Sequence, residues 1–108
     1  MTVALWPGAA LALSGYELLS HCEASIDTGP MYRGYCYGFI DGVAALLRRE
    51  PIHTVCAPSG VTSGQLTDII VKYLRDHPAK RHYEASSLVG LALMEAFPCK
   101  DKPQPNLE

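Results

Sequence analysis

Four cysteines stand singly along this chain, at Cys22, Cys36, Cys56 and Cys99, and no two form the CxxC pair of a structural zinc site or a dithiol redox motif. An even number of scattered cysteines in a chain of 108 residues reads as a disulfide framework. Two bridges restrict the fold severely, because each pair of bridged α-carbons must come within about 7 Å. They also imply an oxidising compartment.

The periodicity shows which elements the bridges must join. Ser14-x-x-Glu17 is a capping box, so a first helix starts at Ser14 and runs to about Cys22. Ser25 to Pro30 collects turn formers and reverses the chain. A second helix covers Met31 to about Arg49, with Tyr32, Tyr35, Cys36, Phe39, Val43, Leu46 and Leu47 at spacings of three and four, and is expected to be buried. Pro51 stops it, and residues 52–60 form a connector that carries Cys56.

Thr62-x-x-Gln65 is a second capping box, followed by Leu66, Ile69, Ile70, Tyr73 and Leu74, the clearest amphipathic pattern in the chain. His77-Pro78 ends this third helix, since the residue before proline avoids helical angles. The fourth helix, about Tyr83 to Ala96, is apolar nearly all round through Leu88, Val89, Leu91, Ala92 and Leu93, and should be central. The expected fold is all-α: a compact four-helix domain stapled by two disulfides. Antiparallel packing of helices one and two brings Cys22 to Cys36, and of helices three and four brings Cys56 to Cys99.

The ends fall outside this domain, which spans residues 14–99. Residues 1–13 are apolar and uncharged, with a small-x-small Ala10-Leu11-Ala12, and read as a signal-peptide remnant or an apolar arm. Residues 100–108 form a polar tail whose final Leu-Glu looks like a vector scar. A net charge of −2 and the lack of a basic stripe argue against nucleic acid as partner, and no run of about 18 apolar residues offers a membrane span.

Catalytic and metal-binding patterns are sparse. His21-Cys22 places a base beside a thiol, but adjacent residues on a helix point about 100° apart, so a half-cystine beside an exposed histidine is the better reading. Asp41, the one acid within the apolar stretch of helix two, reads as a paired structural group before it reads as a catalyst. His53, His77 and His82 lie in connectors without metal-ligand spacing and read as surface histidines. The expectation is no enzyme, no cofactor and no metal.

Gly34, Gly38 and Gly42 repeat every four residues on helix two. Each costs about 1 kcal/mol against alanine, so the ridge needs a reason, either close packing inside the domain or a homodimer seam. Tyr32, Tyr35 and Tyr37 then read as core and seam. The densest mixed charge, Asp68, Lys72, Arg75, Asp76, Lys80, Arg81 and His82, lies on the polar face of helix three and the loop behind it, and is the expected partner-binding surface.

The motifs resemble one family. Gly15-Tyr16-Glu17-Leu18-Leu19 before Cys22, then Tyr35-Cys36-Tyr37-Gly38-Phe39-Ile40-Asp41-Gly42-Val43, are similar to the Rap/Tai family of type VI secretion immunity proteins. So are Cys56-Ala57-Pro58, Val61-Thr62-Ser63-Gly64-Gln65-Leu66, Val71-Lys72-Tyr73-Leu74, His77-Pro78 and Ala96-Phe97-Pro98-Cys99. The resemblance implies a periplasmic helical protein, commonly a homodimer, that neutralises an injected effector. In its best-known branch the effector is a peptidoglycan amidase with a cysteine–histidine site, whose cleft the immunity protein occludes. The competing reading is a small periplasmic chaperone of the acid-stress type, loosened at low pH through Glu17, Asp41 and Asp68.

Overall fold

The computed structural model describes residues 12–100; the apolar arm up to residue 11 and the tail from residue 101 lie outside the described residues. Four α-helices follow in order: α1 (Gly15–Cys22), α2 (Pro30–Leu47), α3 (Ser63–Asp76) and α4 (Ala85–Ala96), with a 3-10 turn at Pro78–Lys80 before α4. Among the described residues the only extended pairing is an isolated bridge between Ser14 and Glu84.

Both capping boxes form. Ser14 Oγ accepts from the Glu17 amide at 3.2 Å while the Ser14 amide donates to Glu17 Oε1 at 2.9 Å. Thr62 Oγ1 accepts from the Gln65 amide at 3.1 Å and the Thr62 amide donates to Gln65 Oε1 at 2.8 Å. Each box satisfies two amides that the first helical turn leaves without partners. Pro30 sits at the first position of α2, where its missing N–H costs nothing.

The core gathers one stripe from each helix: Leu18 from α1, Cys36, Ile40 and Ala44 from α2, Leu66, Ile70, Tyr73 and Leu74 from α3, and Ala85, Leu88, Val89, Ala92 and Leu93 from α4. Helix α4, expected to be central, contributes more buried residues than any other helix. Val55, from the connector, is 2% exposed and completes the packing beside Cys56, whose amide donates to the Phe97 carbonyl at 2.9 Å.

Both bridges pair as the helix ends require, Cys22 with Cys36 and Cys56 with Cys99, each with α-carbons 5.0 Å apart. The all-α, doubly stapled fold stands as the periodicity indicated.

Helix α2 departs from expectation. Only Cys36, Ile40 and Ala44 are buried, four residues apart, while Tyr32 and Tyr35 stand half exposed. The two tyrosines are not core. An added Cβ at Gly34, Gly38 or Gly42 would meet nothing within 4 Å, so the ridge packs against nothing inside the domain. The periodicity was ambiguous because α2 is apolar on both faces, and only one could turn inward.

Candidate functional site

Asp68, Lys72, Arg75 and Asp76 recur at intervals of three and four along the outward face of α3. Lys72 Nζ donates to Asp76 Oδ2 at 2.7 Å across one turn. That hydrogen bond holds the Asp76 carboxyl below its ordinary 3.8 and raises the Lys72 ammonium above 10.5. The pair is exposed, so it organises the surface more than it stabilises the fold.

Arg75 reaches further. Its guanidinium donates through Nε, at 2.8 Å, and through Nη2 to the Glu23 carboxylate, tying α3 to the end of α1 over 52 residues of sequence. Beneath this ion pair lies a cleft of about 670 Å³, lined by Cys22 and Glu23 from α1, Arg33 and Tyr37 from α2, and Thr67, Asp68, Val71, Lys72, Arg75 and Asp76 from α3. The Lys72–Asp76 pair forms a ridge between this cleft and a smaller hollow of about 220 Å³ against α4.

Glu23, Arg33 and Tyr37, which supply the polar groups of the cleft from α2 and the end of α1, were outside the surface expected from the sequence. Arg33 and Tyr37 are one helical turn apart, and Arg33 Nη2 donates to the Tyr37 hydroxyl at 2.8 Å while Nη1 donates to the Ala24 carbonyl at 3.2 Å. The guanidinium carbon lies 5.5 Å from the Tyr37 ring centre, within cation–π range. Their i, i+4 spacing was visible; that α3 would lie across them was not. The cleft carries three acids, Glu23, Asp68 and Asp76, and three cations, Arg33, Lys72 and Arg75. Such alternation favours a partner with matched charges over a uniformly charged polymer.

The other three residues expected to bind a partner lie on the turn beyond α3. Arg81 is largely committed to the fold, since its Nε donates to the Leu74 carbonyl at 2.6 Å and its Nη2 to the Arg75 carbonyl at 3.0 Å. These are carbonyls that the last turn of α3 leaves unpaired. Lys80 Nζ lies 5.9 Å from the Tyr73 ring centre, and the exposed His82 ring packs 4.3 Å from that of Tyr83. The expected surface therefore divides into a cleft wall on α3 and a structural turn.

The groups considered for catalysis are engaged otherwise. Cys22 is oxidised, and His21 stacks on Tyr32 at 4.9 Å and meets Tyr35 edge-on at 5.1 Å. Asp41 accepts from the Ser63 hydroxyl at 2.7 Å, joining α2 to the start of α3. His77 stacks on Tyr73 at 4.2 Å, and its Nδ1 lies 2.8 Å from the Tyr73 carbonyl.

A second surface runs along the outer side of α2. Met31, Tyr32, Tyr35 and Leu46 are at least half exposed beside the bare glycine ridge, and Tyr35 stacks on Phe39 at 6.3 Å. The charged residues between Met31 and Leu46 are Arg33 and Asp41, both drawn inward as described. The exposed face of α2 is thus uncharged for four turns.

No helix among the described residues is long and apolar enough to cross a membrane. No curated protein and no solved structure matches the chain. The family model for Rap1a immunity proteins matches residues 14–99, a span that holds all four helices, both bridges and the cleft. The chain belongs to the Rap1a immunity protein family.

Proposed function

We propose that this protein is an immunity protein that protects its producer, in the periplasm, by binding a secreted antibacterial effector of a type VI system and occluding its active site. A peptidoglycan amidase is the effector class the reading favours. The observation that carries it is the family match across the whole helical domain.

The architecture suits such a task. An inhibitor needs a rigid body and a complementary surface, because rigidity limits the entropy lost on binding. Two bridges supply the stiffness, and the cleft wall of Asp68, Lys72, Arg75 and Asp76 supplies charged contacts that steer encounter and reject wrong partners. A homodimer fits the same reading, with a second copy laid along Gly34, Gly38 and Gly42. There the absence of side chains lets two backbones approach, flanked by Tyr35 and Leu46.

The test is copurification with the product of the adjacent gene, followed by a cell-wall hydrolysis assay. Stoichiometric capture and loss of hydrolysis are expected. Failure to bind or protect against any neighbouring toxin overturns the proposal. Light scattering of the wild type and of Gly38→Trp tests the seam: the wild type should run as a dimer and the variant as a monomer with unchanged circular dichroism.

A further inference from the structure

The connector between α2 and α3 turns back on itself so that three potential ligand atoms converge. His53 Nε2, Cys56 Sγ and Cys99 Sγ lie within 4.8 Å of one another, with Nε2 3.5 Å from the Cys56 sulfur. The cleft on α3 is lined by other residues.

The imidazole is held from its far side. Nδ1 lies 3.2 Å from the Arg48 carbonyl and 3.5 Å from the Glu50 carboxylate. Both are acceptors, and a proton on Nδ1 would satisfy either of them and leave the Nε2 lone pair toward the sulfurs. A carbonyl or carboxylate behind the ring is the support that metal-ligating histidines have. The backbone also adopts an uncommon angle to place the ring, with φ at +34° for His53, a left-handed value rare for a residue with a Cβ. Hydrogen bonds from the His53 amide to Arg49 at 2.6 Å and from the Thr54 amide to Leu47 at 2.8 Å hold it there.

We propose that, once Cys56–Cys99 is reduced, these three residues form a Cys2His site for a soft divalent cation, zinc above all, with water in the fourth position. Tetrahedral zinc, with Zn–S of about 2.3 Å and Zn–N of about 2.0 Å, sets its nitrogen and sulfur ligands roughly 3.5 Å apart. The His53–Cys56 separation already has that value. The two sulfurs must open from bonding distance to about 3.8 Å, a side-chain rotation that α-carbons 5.0 Å apart permit.

The chemistry balances with a dithiol of the thioredoxin class as reductant. The dithiol gives two electrons and two protons, the Cys56–Cys99 bond breaks to two thiols, and the reductant leaves as its own disulfide. The cation then displaces both thiol protons to water as two metal–sulfur bonds form. It would join the same chain segments that the disulfide joins, allowing this end of the domain to be held before oxidation.

The experiment titrates the full chain with Co2+ and then Zn2+, without oxygen, in a non-chelating phosphine reductant. One equivalent of cobalt should give tetrahedral visible bands with thiolate-to-metal charge transfer, and zinc should bleach them. The bands should persist in Cys22→Ser/Cys36→Ser, vanish in Cys56→Ser/Cys99→Ser, and require about tenfold or more metal in His53→Asn, which tolerates the left-handed backbone but lacks the imidazole. His53→Asn keeps all four cysteines; circular dichroism of each reduced chain, with and without zinc, reads the fold, and a reduced wild type that zinc leaves unfolded also counts against the site. Absence of a tetrahedral signal, an affinity indifferent to His53, or equal loss from both cysteine pairs overturns the site.

Discussion

Gly15 lies directly against the main chain of Arg81: a Cβ at Gly15 would stand 2.9 Å from the Arg81 carbonyl oxygen and 2.6 Å from Leu88 Cδ1. The Tyr16 amide donates to that carbonyl at 2.9 Å, and the Gly15 amide donates to Tyr83 at 3.0 Å, so the first turn of α1 is laced to the segment that leads into α4. Leu88 is 1% exposed and has no open side to retreat into. Gly15→Ala should therefore destabilise the domain by about 1–3 kcal/mol, the usual cost of overpacking, read as a lower urea midpoint at unchanged slope.

The same substitution on α2 should have the opposite sign. Nothing lies within 4 Å of a Cβ at Gly42, and alanine restricts the unfolded chain more than glycine does. Gly42→Ala should stabilise the isolated chain by about 0.4–1 kcal/mol, measured at a concentration low enough to keep it monomeric.

Acid should weaken the fold through known groups. The Ser14 amide and hydroxyl hold the Glu17 carboxyl below its ordinary 4.5, and the Lys72 hydrogen bond does the same for Asp76. A depressed carboxyl contributes fully above its unfolded value and loses the contribution as pH falls through the folded one. Lys72 behaves inversely, contributing below 10.5 and losing it as pH rises through its raised value. Urea midpoints measured from pH 7 to pH 2 should hold level to roughly pH 5 and then decline, and Glu17→Gln should flatten part of that decline.

Opening either bridge should cost a large share of the stability. In the chain-entropy model a loop of about 15 residues contributes roughly 3 kcal/mol and one of about 44 roughly 4 kcal/mol. Separations of 14 and 43 residues place the two bridges in that order, so Cys56→Ala/Cys99→Ala should lower the melting temperature more than Cys22→Ala/Cys36→Ala.

Charge reversal should separate binding from folding. Asp68 is exposed on the cleft wall, so Asp68→Lys should shift stability by no more than about 0.5 kcal/mol. Association with the cognate effector, followed by surface plasmon resonance, should slow about tenfold or more at low salt, and the deficit relative to the wild type should shrink as salt screens the charges. Arg75→Ala should affect both readouts, because its guanidinium also anchors Glu23.

The sequence by itself determined the elements and their ends. Capping boxes at Ser14 and Thr62, prolines at 30, 51 and 78, and the 3.6-residue period act within one or two turns, where the chain's own chemistry suffices. Disulfide pairing followed, because short connections between antiparallel helices leave few choices. Only the tertiary structure decided how each helix is rotated about its axis. Helix α2 is apolar on two sides, and burial of Cys36, Ile40 and Ala44 rather than Tyr32 and Tyr35 depends on what α1, α3 and α4 present to it. That rotation places Arg33 under α3, turns the glycine ridge outward, and completes a cleft from three helices. Likewise, Arg81 caps α3 and His53 faces a sulfur 46 residues away through contacts that no sequence window spans. Local hydrogen bonding is encoded residue by residue, whereas the choice between two apolar faces rests on the summed burial of the whole core.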